Sequence, residues 1–251
     1  MESNKDEIEF KEEFTNPSAK YRGFPFWAWN SKLNTKELLR QIDCFKQMGF
    51  GGFFMHSRAG MATKYLGSEF MKNVSACVNH AKKLNMYACL YDEDRWPSGF
   101  AGGYVTKEKD FRQKQICLSL KAPLEFLNAY NKNERDPDFL CAYDITFTEN
   151  DRILNYHIIN ENDEKWYAYK IYNPCCGYHN GYTYSDTLNP NAVNKFIEVT
   201  HKKYKEVLKD DFGKTVSSIF TDEPSFGRIF LKSFARDGKD LFFPWTESFP
   251  L

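Results

Sequence analysis

Three short apolar runs along the chain each break off into charged or aromatic residues. Gly51-Gly52-Phe53-Phe54-Met55 runs into His56-Ser57-Arg58, Met86-Tyr87-Ala88-Cys89-Leu90-Tyr91 into Asp92-Glu93-Asp94-Arg95-Trp96, and Ser217-Ser218-Ile219-Phe220-Thr221 into Asp222-Glu223-Pro224. Runs of this length read as buried strands. Between them the period changes to that of helices. After a first strand over Tyr21–Trp29, Asn34 with Glu37 three residues on is a capping box, followed by Leu38, Ile42 and Phe45 on one face. Gly49 stops that helix. A second strand over Phe50–Met55, a helix from Ser68 to Leu84 with Val74, Cys77, Val78 and Ala81 inward, and a third strand over Met86–Tyr91 follow in close succession. Asn189-Pro190 opens a further helix, with Val193, Phe196, Ile197, Thr200, Tyr204 and Val207 predicted on one face, and a fourth strand spans Val216–Thr221.

From Lys107 to Pro174 the alternation is that of strands. Gln115–Leu120, Phe139–Thr148, Arg152–Ile159 and Lys165–Tyr172 are separated by Asn, Asp and Glu turns, which predicts an antiparallel insertion over about 108–174. Repeated strand–helix units with charged residues at the strand ends point to an α/β chain built as a partial (β/α)₈ barrel of about four units. A doubly wound sheet uses the same strand edge, but no GxGxxG follows the first strand. Four strands and three helices are half of a barrel, and Phe242–Leu251 reads as loop. The expectation is therefore one domain over 1–251, the N-terminal half of a barrel truncated at its C-terminal side.

With 34 basic and 34 acidic residues in 251, the formal charge is zero, which favours neither nucleic acid nor an anionic membrane surface. No apolar run approaches the ~18 residues of a membrane span, and Met1–Lys11 is charged rather than signal-like, so the chain is expected to be cytoplasmic. The seven cysteines, with Cys44, Cys77, Cys89 and Cys117 inside predicted elements, read as reduced thiols, and Cys175-Cys176 lacks zinc-ligand spacing. Nothing in the sequence fixes an oligomeric state.

The candidate chemistry is carboxylate chemistry, since no GxSxG elbow or activated cysteine is present. Glu223, at the mouth of the fourth strand, can protonate a leaving oxygen if an apolar surround or neighbouring Asp222 raises its pKa; a structural carboxylate bonded to loop amides is the alternative. Asp222 would orient it or bind a hydroxyl, although consecutive strand residues point to opposite faces unless the backbone turns. Asp92, Glu93 and Arg95 would bind sugar hydroxyls, or else form an internal network holding the Pro97-Ser98-Gly99 turn. Asp92 and Asp94 would also suit a hard cation, without any calcium-loop spacing. His56 and Arg58 can hydrogen-bond a hydroxyl and steady a carboxylate. Trp27, Trp29 and Asn30 end the first strand, where an exposed indole would stack on a pyranose, yet the two tryptophans share one face and at least one can belong to the core.

Tyr21-Arg22-Gly23-Phe24-Pro25-Phe26-Trp27-Ala28-Trp29-Asn30, Gly51 to Gly60, Tyr91 to Gly99 and Phe220 to Pro224 together resemble the N-terminal catalytic half of the family 106 glycoside hydrolases, the α-L-rhamnosidase-like group. The resemblance spans roughly residues 14 to 250. It implies a (β/α)₈ barrel, hydrolysis of a terminal deoxysugar or related glycoside by two carboxylates with inversion, and a bound calcium whose ligands it does not assign here. It also implies that Glu223 is one of the two carboxylates and that its partner lies beyond residue 251. Three other readings stay open: a non-catalytic carbohydrate-binding barrel, an inactive fragment of such an enzyme, and an isomerase or lyase using the acids with a metal.

Overall fold

In the computed structural model, β1 (Phe26–Trp29), β2 (Gly52–Ser57), β3 (Tyr87–Tyr91) and β8 (Ile219–Phe220) lie side by side, all parallel, in the order β1-β2-β3-β8. The residues described are 10–130, 137–150, 152–159, 166–226 and 240–249. Helices α1 (Thr35–Gln47) and α2 (Ser68–Lys83) connect the first three strands. The side chain of Asn34 accepts from the Glu37 amide, as an N-cap should, but the Glu37 carboxylate bonds Arg40 and Gln41 instead of reaching back. Half of the expected capping box therefore forms. Gly49, at φ 86, ends the helix in the left-handed region.

Register decides which residues line each face of this sheet. Trp27, Trp29, Phe53 and Met55 point to one side and are buried, with Trp27 edge-on to Phe45 of α1 at 5.4 Å and Trp29 edge-on to Phe70 of α2 at 5.6 Å. On the other side lie Phe26, Phe54, Phe220, His56 and Tyr91, with Phe26 half exposed. Gly51 precedes β2 where a side chain has no room, since a Cβ there would sit 1.9 Å from the Ala19 carbonyl oxygen. The four parallel strands do not close into a barrel among the described residues.

The antiparallel strands form a second sheet in the order β6-β5-β7-β4-β9, from β4 (Lys114–Ser119), β5 (Asp138–Phe147), β6 (Ile153–Ile159), β7 (Trp166–Tyr172) and β9 (Leu241–Trp245). Four of these strands come from the stretch whose alternation predicts them. The fifth, β9, falls where loop was expected. Pro244 carries no N–H and is tolerated because β9 pairs on one side only, with β4. Helix α3 (Pro123–Tyr130), absent from the sequence reading, sets Phe126 flat on Tyr169 at 3.7 Å in a core with Cys117, Ala142, Tyr167 and Ile171.

The helical stretch after Asn189 is α4 (Pro190–Ile197), a π turn (Glu198–Lys202) and α5 (Lys203–Leu208). Its buried positions are Ala192, Phe196, Thr200, Tyr204 and Leu208, four apart, whereas Val193, Ile197 and Val207 are exposed. Phe196, Thr200 and Tyr204 are inward as expected, and the wide turn shifts the inward face off a regular 3.6 period, so that the other three expected positions face out. The chain divides into two compact units, Met1–Ala101 with Ile197–Glu223 and Gly102–Phe196 with Pro224–Leu251. Among the described residues no helix is long and apolar enough to cross a membrane.

Candidate active site

The candidate site residues all lie in the unit holding the parallel sheet, and all but Trp27, the second residue of β1, stand at or just beyond the C-terminal ends of its strands. The segment after β3 is fixed from within. Glu93 is fully buried, and its carboxylate accepts from the amides of Asp94 at 2.8 Å, Gly99 at 3.0 Å, Phe100 at 3.0 Å and Ala101 at 2.7 Å. Four backbone donors converging on one carboxylate make it the anchor of the turn rather than a group presented to a hydroxyl.

Asp92, also fully buried, ties that turn to the end of β8. Ser98 Oγ donates to its Oδ1 and Thr221 Oγ1 to its Oδ2, each at 2.6 Å, while His201 Nε2 stands 3.4 Å from Oδ2. Burial pushes the Asp92 carboxyl above its ordinary range, against the pull of the two hydroxyls and His201. Ser98 Oγ accepts in turn from the Asp222 amide at 2.9 Å, and the Ser98 amide donates to the Asp222 carbonyl at 2.8 Å. Asp92 is therefore structural scaffolding between two strand ends.

At the rim itself, the single proton of the Tyr91 phenol is shared between Asp222 Oδ2 at 2.8 Å and the Arg95 carbonyl at 2.9 Å. Burial, with the neighbouring carboxylate, pushes that phenol well up, so it remains a donor at any working pH. The ring of His56 lies 3.8 Å from the Tyr91 ring and is buried. Burial and the Arg58 charge push its imidazole down to about 4, with Asp222 opposing, so it is neutral at neutral pH. Its Nε2 has no hydrogen-bond partner among the described residues. A buried orphan nitrogen of this kind is the sort of group a ligand hydroxyl satisfies.

Glu223 sits at φ 42, in the left-handed region that non-glycine residues seldom adopt. This is the backbone turn that lets consecutive acids both serve one rim: Asp222 is held by Tyr91, and the exposed Glu223 accepts from the Trp96 indole Nε1 at 3.1 Å. Strained backbone recurs at functional sites. Glu223 is exposed, so the apolar surround, one of the two conditions named for its acid role, is not met.

The remaining expected residues divide. Arg58 and Asn30 are exposed near the rim, while Arg95 is half-buried with Nε 3.6 Å from Asp94. Trp27 and Trp29, expected to offer a stacking face, are 7% and 2% exposed and packed among Phe45, Phe53 and Phe70. Both indoles belong to the core because the strand's alternation turns the pair toward the helices. Sequence reasoning missed Tyr91, Ser98, Thr221 and His201 as partners of the acids. No local pattern signals His201, which reaches Asp92 from the π turn some 109 residues on in the chain. A cavity of about 800 Å³, lined by Lys20, Phe24, Lys82, Tyr87 and Lys214 among others, opens at the opposite, N-terminal ends of the strands and includes none of the expected residues.

Among the described residues no three His, Cys, Asp or Glu side chains converge to hold a metal ion. The calcium implied by the resemblance is therefore assigned no ligands among the described residues.

No family model and no curated protein matches the chain. Among solved structures it is similar to a rhamnosidase. That protein, from Novosphingobium sp. PP1Y, shares 14% identity at a TM-score of 0.34, over 55% of this chain. This chain covers 12% of the rhamnosidase's length. A similarity so distant carries no argument about activity, which rests on the residues themselves.

Proposed function

We propose that this rim is the sugar site of a glycoside hydrolase acting on neutral glycosides or polysaccharide, α-L-rhamnosidase-like in substrate and mechanism. The observation that carries the reading is the left-handed turn at Glu223, which sets two successive carboxylates at one strand mouth beside a neutral, buried imidazole whose Nε2 has no partner among the described residues. Glu223 is the catalytic carboxylate. Asp222, locked by Tyr91, and His56 bind hydroxyls, and Arg58 and Asn30 flank them. In the reaction a carboxylic acid gives its proton to the glycosidic oxygen as that oxygen leaves the anomeric carbon, and water, losing a proton to a second carboxylate, forms the new bond. The separation of ~6.5–9.5 Å typical of inversion is the geometry expected for that pair.

Support for a (β/α)₈ arrangement of the parallel unit comes from the strand–helix–strand order and from acids gathered at the C-terminal strand ends, where such barrels do their chemistry. On this reading the antiparallel strands are an elaboration of one catalytic domain. One observation favours a second reading, a carbohydrate-binding module without catalysis: Glu223 is exposed instead of sheltered in an apolar surround. The two separate on Glu223→Gln. Hydrolysis predicts a ~10²–10⁴-fold fall in glycoside turnover with sugar binding retained. Unchanged turnover would remove Glu223 from the chemistry, and sugar binding by a wild-type protein that turns over no glycoside would establish the module.

A further inference from the structure

Cys175 and Cys176 belong to the unit that holds the antiparallel sheet, and as bare sequence they show no activating pattern. The fold changes that for one of them. After β7 the chain enters a single 3₁₀ turn over Gly177–His179, in which the His179 amide donates to the Cys176 carbonyl at 3.2 Å. Asn180 and Gly181, at φ 59 and 78, then reverse the backbone, and the Gly181 amide donates to the same carbonyl at 2.9 Å. The Cys176 amide closes the loop on the Tyr182 carbonyl at 3.0 Å. His179 is thereby carried back to Cys176, with Nδ1 3.3 Å from Sγ. Its ring stacks on that of Tyr184 at 5.5 Å, and burial lowers the pKa of the imidazole, so at neutral pH it is a neutral base beside a thiol.

The other thiols lack this arrangement. Cys77, Cys89 and Cys117 are fully buried, and burial pushes the Cys77 thiol well up. Cys141 is half-buried and bonded to Tyr143. Cys44 receives an Arg40 N–H at 3.5 Å, but the Glu37 carboxylate already matches that charge at 2.6 Å. Cys175 is exposed and has no side-chain partner among the described residues. Cys176 alone joins partial exposure to an imidazole.

We propose that Cys176 is a thiol-modification site, with His179 as its general base and a hydroperoxide as its reagent. Sγ attacks the hydroxyl oxygen of the peroxide as its proton passes to His179 Nδ1. The O–O bond breaks, and the departing oxygen takes that proton and leaves as water or an alcohol. The sulfur, oxidised by two electrons while the peroxide is reduced, keeps the hydroxyl as a sulfenic acid. A hydroperoxide suits the geometry on two counts: it is small enough for a half-buried sulfur, and its leaving oxygen needs the proton that the imidazole has just received.

The test is to treat the full chain with hydrogen peroxide in the presence of dimedone, which traps sulfenic acids, and to follow labelling of each cysteine by peptide mass spectrometry. Cys175→Ser and Cys176→Ser proteins are run side by side, so that neither thiol of the pair can condense with the other. Cys176 in the first should label at least about tenfold faster than Cys175 in the second, although Cys175 is the more exposed. Adding His179→Gln to Cys175→Ser should slow Cys176 by about tenfold or more. Labelling that follows exposure, with Cys175 as fast as Cys176, would overturn the site; this comparison leaves His179 in place and so stands even if the His179 variant fails to fold. An unchanged Cys176 rate in a folded His179→Gln protein would overturn the general base. Neither result touches the rim, so this site and the hydrolase reading fail separately.

Discussion

Glu93 shows how a charged residue at a strand end can be purely architectural. Its four amide partners leave Glu93→Ala with several buried donors unsatisfied, and each such loss costs about 1–3 kcal/mol. Urea unfolding should therefore show a loss of at least ~3 kcal/mol; an unchanged midpoint would mean that the turn holds itself. His56 makes the opposite case, a neutral group kept out of water. Its imidazole titrates near 4 in the fold against an ordinary value of 6.5, so protonation favours the unfolded chain. Its contribution is constant above pH 6.5 and stability is lost as pH falls from 6.5 toward 4, by up to about 3 kcal/mol. Asp92, pushed the other way, adds stability at low pH that is lost as pH rises through its folded value. The His56 effect is thus read against His56→Asn, relative to which the wild type should lose stability on acidification across that window; a difference that does not change with pH would contradict the burial argument. Residue types at the strand ends were legible in the sequence, but their division into anchors and presented groups was not, because it depends on which amides and hydroxyls fold back onto each acid.

At the scale of elements, the chemistry of helix ends was readable and the irregularities were not. Asn34 caps α1 through the Glu37 amide as its position predicts, and Asn34→Ala should cost ~1 kcal/mol in thermal or urea unfolding, with no loss expected had the Glu37 carboxylate been the cap. The strands at Gly52–Ser57 and Tyr87–Tyr91 fall where continuous apolar runs announce them. β8 shrinks to Ile219–Phe220, because Thr221 and Asp222 turn their polar groups to Asp92 and Ser98 instead of extending the ladder. The π turn at Glu198–Lys202 has no sequence signature, yet it fixes which residues of that helix are inward and brings His201 to Asp92. β9 was hidden by its proline, which an edge strand accommodates and a central one would not.

For the whole molecule, alternation and helical period were enough to separate a parallel α/β unit from an antiparallel one, since the two patterns occupy different stretches of the chain. What they could not convey is the lateral order β6-β5-β7-β4-β9, in which the last strand pairs with the first of its sheet. That pairing spans more than a hundred residues, beyond the reach of any local pattern. The balanced charge of 34 and 34 and a rim with two acids beside a neutral imidazole fit a neutral ligand, which is the chemistry proposed for it. The most direct test is reducing-sugar release from a panel of aryl glycosides, α-L-rhamnoside included, by the wild-type protein and by Glu223→Gln. The account predicts release by the wild type and a fall of about a hundredfold or more in the variant; equal release by both would contradict it.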